Sequence, residues 1–156
     1  VVAGPPGHGC EHFARALASS PARARVEWRR DVSEAELPRL YAQADLFLFA
    51  SLGEGFGLPP LEAMACGTAV VTSSVSSMPE VCGPAAWYVE PTDEERIFEA
   101  ARRLLAEPEL RAEFVRKGRE RARQYIWRET ARATLLAYQR AADPTADDGP
   151  KLRRSL

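Results

Sequence analysis

Between Ser51 and Val71 the chain reads SLGEGFGLPPLEAMACGTAVV, and few folds can accommodate that run. A glycine-rich loop carrying Glu54 leads to Pro59 and Pro60. Proline suits a first helical turn, where its missing N–H leaves no bond unmade. Gly67 closes the predicted helix, and Thr68 to Thr72 follows as a buried strand. Upstream, Leu46 to Ala50 is an apolar run bounded by Asp45 and Ser51, as expected of a parallel core strand. Strand, loop, helix and strand make one βαβ unit. In open α/β sheets ligands sit at the carboxyl ends of strands, which is where this loop falls.

The residues of the loop suit a particular chemistry. Gly55 and Gly57 permit positive φ and close backbone approach to a ligand. The helix N-terminus offers free N–H groups and a partial positive charge, which favour a phosphate. Glu62, one turn in, can accept two hydrogen bonds from a vicinal diol such as a ribose; Glu54 can do the same for a sugar. A diphosphate between two polyols is a nucleotide sugar. The spacing of the two acids does not by itself specify this, since Glu99 and Glu107 repeat it on a plain amphipathic stretch. A glycine turn before a proline-started helix is also ordinary punctuation.

In chain order, Val1 to Ala3 is predicted as the end of a buried strand, and Gly4 to Glu11 reads GPPGHGCE. An ATP-binding phosphate loop would need Lys and then Ser or Thr where Cys10 and Glu11 stand. The dinucleotide pattern fails at His12, which occupies the third glycine position. What remains is a tight turn, with His8 a loop side chain. A helix over Glu11 to Ser19 and a strand over Arg25 to Trp28 follow. Ser33 and Glu36 form a predicted capping box for a helix through Gln43, with Leu37, Leu40, Tyr41 and Ala44 apolar.

Beyond the loop-and-helix run, Ser73 to Ser77 is a polar loop on the same rim, and Met78 to Val81 one helical turn with Glu80 a capping or surface carboxylate. Ala86 to Val89 is a short edge strand. Thr92 and Glu95 suggest a second capping box, opening a helix with Ile97, Ala100, Ala101, Leu104 and Leu105 facing the core. Pro108 starts the next helix, which Gly118 is expected to interrupt. The arginines from Arg111 to Arg128 are interleaved with Glu113, Glu120 and Glu129, which reads as a salt-bridged solvent face rather than a phosphate or nucleic-acid patch. A final helix over Trp127 to Ala142 carries the stripe Trp127, Ala131, Leu135 and Tyr138. Asp143 to Leu156 is polar and proline-broken, an expected disordered tail.

The 156 residues suit one domain, and a net charge of −1 leaves no basic footprint for nucleic acid. Cys10, Cys66 and Cys82 fit neither a zinc spacing nor a disulfide framework, which points to a reducing, cytoplasmic compartment. No apolar run approaches the ~20 residues of a membrane span. The chain opens on Val1 inside an apolar run and is read as a piece of something longer.

The sequence Glu54-GFGLPPL-Glu62-AMACGTAVV resembles the donor-binding half of GT-B glycosyltransferases of family 4, also called group 1. One departure is Ala69, where the family usually has Pro. The resemblance extends upstream over Val32 to Phe47, and downstream over Met78-Pro-Glu-Val-Cys-Gly83 and Tyr125-Ile-Trp127. It covers nearly all of Val1 to Arg140. It implies an α/β fold, a Rossmann-like parallel sheet with helices on both faces, forming part of a C-terminal GT-B domain. Residues 1–142 would be the nucleotide-sugar-binding domain, without its first strand–helix unit and the Arg and Lys there that grip the diphosphate.

The implied activity is retaining transfer of a sugar from a nucleoside diphosphate sugar to an acceptor hydroxyl. Glu54 would be the catalytic carboxylate, holding donor hydroxyls and stabilising positive charge at the reacting carbon. Backbone N–H groups of Gly55, Phe56, Gly57 and Leu58 would bind sugar and diphosphate, Glu62 the ribose, and Val32 the nucleobase. No metal and no cofactor beyond the donor are implied. The acceptor would sit in an absent N-terminal domain, to which the last helix crosses and through which any membrane association would arise. A related GT-B epimerase or phosphorylase and a non-catalytic nucleotide-binding or interaction fragment are the competing readings. The wording LPPLEAMA favours transferases, and the presence of both Glu54 and Glu62 argues against decay.

Overall fold

Alternation along one strand organises the molecule. A computed structural model describes residues 1–7 and 9–142. The elements run β1 (Val2–Ala3), α1 (Cys10–Ser19), a 3₁₀ turn (Arg23–Arg25), β2 (Trp28–Arg29), α2 (Leu37–Gln43), β3 (Phe47–Phe49), α3 (Leu58–Cys66) and β4 (Val70–Ser73). They continue with α4 (Met78–Cys82), a 3₁₀ turn (Gly83–Ala85), β5 (Ala86–Val89), α5 (Glu94–Ala106), α6 (Pro108–Ala122) and α7 (Trp127–Ala142).

All pairings are parallel, β1 with β2 and β4 between β3 and β5. Val70 and Val71 of β4 point to opposite faces, as strand geometry requires. Val70 packs with Tyr41, Leu61 and Met64 from α2 and α3. Val71 packs with Ala100 and Leu104 of α5. Met64, Val70, Val71 and Leu104 are fully buried, each contributing about 1.5–3 kcal/mol of hydrophobic stabilisation. Both faces of the sheet are therefore covered by helices, and the α/β Rossmann-like expectation holds.

Helix α3 has glycine at each end for a conformational reason. Gly57 precedes it at φ 106° and Gly67 follows at φ 85°. At its end Gly67 N–H donates to the Met64 carbonyl and Thr68 N–H to the Ala63 carbonyl, both at 3.0 Å, a Schellman pair that stops the helix and releases the chain into β4.

Several local expectations are corrected. β1 is a strand, but Val1 and Val2 are exposed rather than buried. The second strand is Trp28–Arg29, because residues 23–25 close a 3₁₀ turn. β3 lies at the edge of its sheet, with Leu48 46% exposed, so it is no core strand. The first capping box is half-formed. Glu36 reaches back to Ser33 N–H at 3.1 Å, but the Ser33 hydroxyl donates to that same carboxylate, and the helix begins at Leu37. The second cap is Asp93, which accepts from Arg96 N–H at 2.9 Å; Thr92 is not the cap.

Gly118 does not interrupt α6. It is buried against Met64, and a Cβ there would lie 3.0 Å from Met64 Cγ, so glycine is what lets α6 lie on α3. Arg121 leaves the solvent-face pattern too. Its guanidinium donates to the carbonyls of Glu80 and Val81 and to the Tyr125 hydroxyl, clamping α4. Elsewhere on α6 the expected pairs form, Arg116 with Glu120 at 3.0 Å, both exposed, and half-buried Lys117 with Glu113 at 2.6 Å. The α7 stripe exists, with Trp127, Leu135 and Tyr138 all exposed. No helix among the described residues is long and apolar enough to cross a membrane. His8 and the expected tail over 143–156 lie outside the described residues.

Candidate functional site

Residues 51–57 carry the chain from the carboxyl end of β3 to α3, and serines fix their course. Ser51 Oγ donates to Glu54 Oε1 at 2.9 Å, orienting a half-buried carboxylate. Ser76 Oγ accepts from Glu54 N–H at 3.1 Å and donates to the Glu54 carbonyl at 2.7 Å. Ser77 Oγ lies within donating distance of the carbonyls of Glu54, at 3.0 Å, and Phe56, at 2.8 Å. The loop after β4 thus straps the loop after β3. Ser76 holds φ 61°, and among the described residues no other non-glycine has positive φ.

With the carbonyls of residues 54 and 56 turned inward to serines, the neighbouring amides are left over. Among the described residues, the backbone N–H groups of Gly55, Phe56, Gly57 and Leu58 donate no hydrogen bond. Pro59 and Pro60 have no N–H, so they remove two of the donors that a helix start usually presents. The anion-binding capacity of this end therefore rests on residues 55–58, one run of free donors at the positive end of α3.

The two glycines expected to need positive φ differ. Gly57 does, and an added Cβ would also collide with the Met78 side chain. Gly55 does not, and its Cβ position faces open space.

Glu62 stands exposed on α3, one turn in from Leu58. The Tyr41 hydroxyl donates to its Oε2 at 3.1 Å. Burial, together with the charge and hydrogen bond of Glu62, holds the Tyr41 phenol well above its ordinary range, so it stays a donor. Cys66 follows Glu62 by one helical turn; burial and that same carboxylate raise its thiol. Val32 is half-buried in the turn between β2 and α2, and among the described residues no hydrogen bond ties it to residues 53–58 or to Glu62. The structure thus assembles Glu54, residues 55–58 and Glu62 along one loop-to-helix path and leaves Val32 on a separate segment.

Sequence reasoning missed Ser51, Ser76, Ser77 and Tyr41 as supports. The serine-rich run SSVSS was a usable signal, as was the single phenol in the apolar stripe of α2. Phe56 also meets Tyr125 edge-on at 5.8 Å between ring centres, which joins the loop to the segment before α7. A separate recess of about 480 Å³ opens along α6 among Arg111, Val115, Arg116 and Arg119, and no residue of the loop lines it. Among the described residues no group of three His, Cys, Asp or Glu side chains is placed to hold a metal ion.

The family model described as glycosyl transferases group 1 matches residues 1–121. The chain belongs to the group 1 glycosyltransferases. O-antigen chain mannosyltransferase B of Escherichia coli is 40% identical over 108 residues, covering 69% of this chain and 28% of the relative. The chain therefore spans little more than a quarter of that protein's length.

Among solved structures, sucrose-phosphate synthase from Thermosynechococcus elongatus matches with TM-score 0.80 and 27% identity, over 88% of this chain and 36% of that one. Anabaena HepE, in complex with UDP and glucose, matches with TM-score 0.75 and 20% identity, over 89% of this chain and 39% of that one. At that identity the second likeness speaks for the fold.

Proposed function

We propose that this group 1 glycosyltransferase chain is the donor-binding part of a retaining enzyme that moves a sugar from a nucleoside diphosphate sugar to an acceptor hydroxyl. The run of four free N–H groups at residues 55–58, between the carboxylates of Glu54 and Glu62, carries the reading. Amides at a helix start bind a diphosphate and counter the charge it gains as it leaves. Glu62, exposed and tethered, takes the ribose diol through its unheld oxygen. Glu54, oriented by Ser51, takes hydroxyls of the donor sugar and stabilises positive charge at the reacting carbon. Val32 is assigned to the nucleobase on the resemblance alone.

A nucleotide sugar as donor is supported by membership of the group 1 family and by a relative named a mannosyltransferase. The acceptor belongs to a part of the enzyme outside this chain, and metal is not required for the step. The test is the product's anomeric configuration, read by proton NMR during turnover of the native protein with UDP- and GDP-hexoses. Retention of the donor's configuration is expected; inversion, or no transfer from any nucleotide sugar, would refute the proposal.

A further inference from the structure

Tyr41 is buried to 6% exposure, yet its polar end emerges beside an exposed carboxylate. Its ring meets Phe47 edge-on, at 5.2 Å and 88°, and its carbonyl accepts from buried Thr68 Oγ1 at 2.5 Å. These contacts come from β3 and from the residue that leads into β4, so the sheet itself fixes the phenol. The hydroxyl then donates to Glu62 Oε2 at 3.1 Å. A free glutamate on a helix surface samples many rotamers, and binding a diol would have to freeze them. Here one oxygen is already held and the other is free.

We infer that Tyr41 is a positioning residue, which presets the Glu62 carboxylate for a vicinal diol of the nucleotide; this rests on the ribose assignment of Glu62. The other polar groups near this pair do not replace the phenol. Cys66 is held as a neutral thiol, and among the described residues no Arg or Lys bonds to Glu62.

The experiment uses Tyr41→Phe and Glu62→Ala in the native full-length protein, with UDP and GDP and their 2′,3′-dideoxy forms as probes in calorimetry. Tyr41→Phe keeps the ring and its packing, and Glu62 loses only a bond that water can replace. The expected result is that Tyr41→Phe weakens the ribonucleotides about tenfold, the scale of the rotamer freedom that an untethered glutamate loses on binding, and leaves the dideoxy forms unchanged. Equal loss for both forms, or no loss for either, would overturn the positioning role. If Glu62→Ala fails to discriminate the two forms, the ribose assignment itself fails and the inference falls with it.

Discussion

Ser76 holds the backbone of Glu54 at two points, accepting from its N–H at 3.1 Å and donating to its carbonyl at 2.7 Å. A residue 22 positions away thereby sets where the proposed catalytic carboxylate sits. Ser76→Ala removes both bonds and leaves an alanine at φ 61°, a conformation it tolerates poorly. The expected effect is on turnover. Small displacement of a reacting group costs rate, so kcat should fall about tenfold. Nucleotide affinity should stay within about twofold, because the free amides at residues 55–58 remain. Steady-state kinetics beside calorimetry checks this, and a loss confined to affinity would count against it.

Glu54→Gln separates charge from shape. Ser51 can still donate to the amide oxygen, so the loop should keep its course. The charge that would stabilise the sugar's developing positive charge is gone. Turnover is expected to fall about 10²- to 10³-fold, the scale of losing a preorganised electrostatic group, with the nucleotide dissociation constant nearly unchanged. A variant that turns over normally removes Glu54 from the reaction.

Much of this architecture is legible in sequence because it is local. The proline start, the Gly67 stop and the β-branched strand each follow from backbone preferences of the residues themselves. What the sequence hides is tertiary. Tyr41 lies in an apolar stripe, and periodicity assigns it to packing; its hydroxyl acquires a role only when α2 lies on α3. Gly118 reads as a helix breaker by propensity, but contact with Met64 makes its small size an asset and the helix continues. Arg121 shares the spacing of its salt-bridged neighbours, and only the fold brings the Val81 carbonyl within 2.8 Å. The second cap slips by a residue for a simpler reason: Thr92 and Asp93 can both cap, and local geometry chooses Asp93.

The glycines of the loop give a contrast. Gly57→Ala faces φ 106° and the Met78 side chain together. Backbone strain and overpacking each cost about 1–3 kcal/mol, so destabilisation of about 2–6 kcal/mol is expected. Gly55→Ala meets neither obstacle and should shift stability by less than about 0.5 kcal/mol. Urea denaturation of the two variants decides. Equal effects would mean the loop is looser than its geometry implies.

Alkaline stability should depend on Cys82. The thiol is fully buried, and burial pushes it up to about 11 from an ordinary 9.0, with nearby Arg121 opposing in part. A raised folded value means that the folded state holds the proton more tightly than the unfolded chain. Its contribution is complete below about pH 9 and is lost as pH rises through about 11. Tyr41 and Tyr88, both raised chiefly by burial, add the same sign of dependence above pH 10. The urea midpoint should therefore begin to fall near pH 9 in the native protein. In Cys82→Ala the overall midpoint is lower, because burial is lost, but its fall between about pH 9 and 11 should be shallower, since only Cys66 and the tyrosines remain to drive it. If the two declines have the same slope over that range, Cys82 does not titrate as its burial requires.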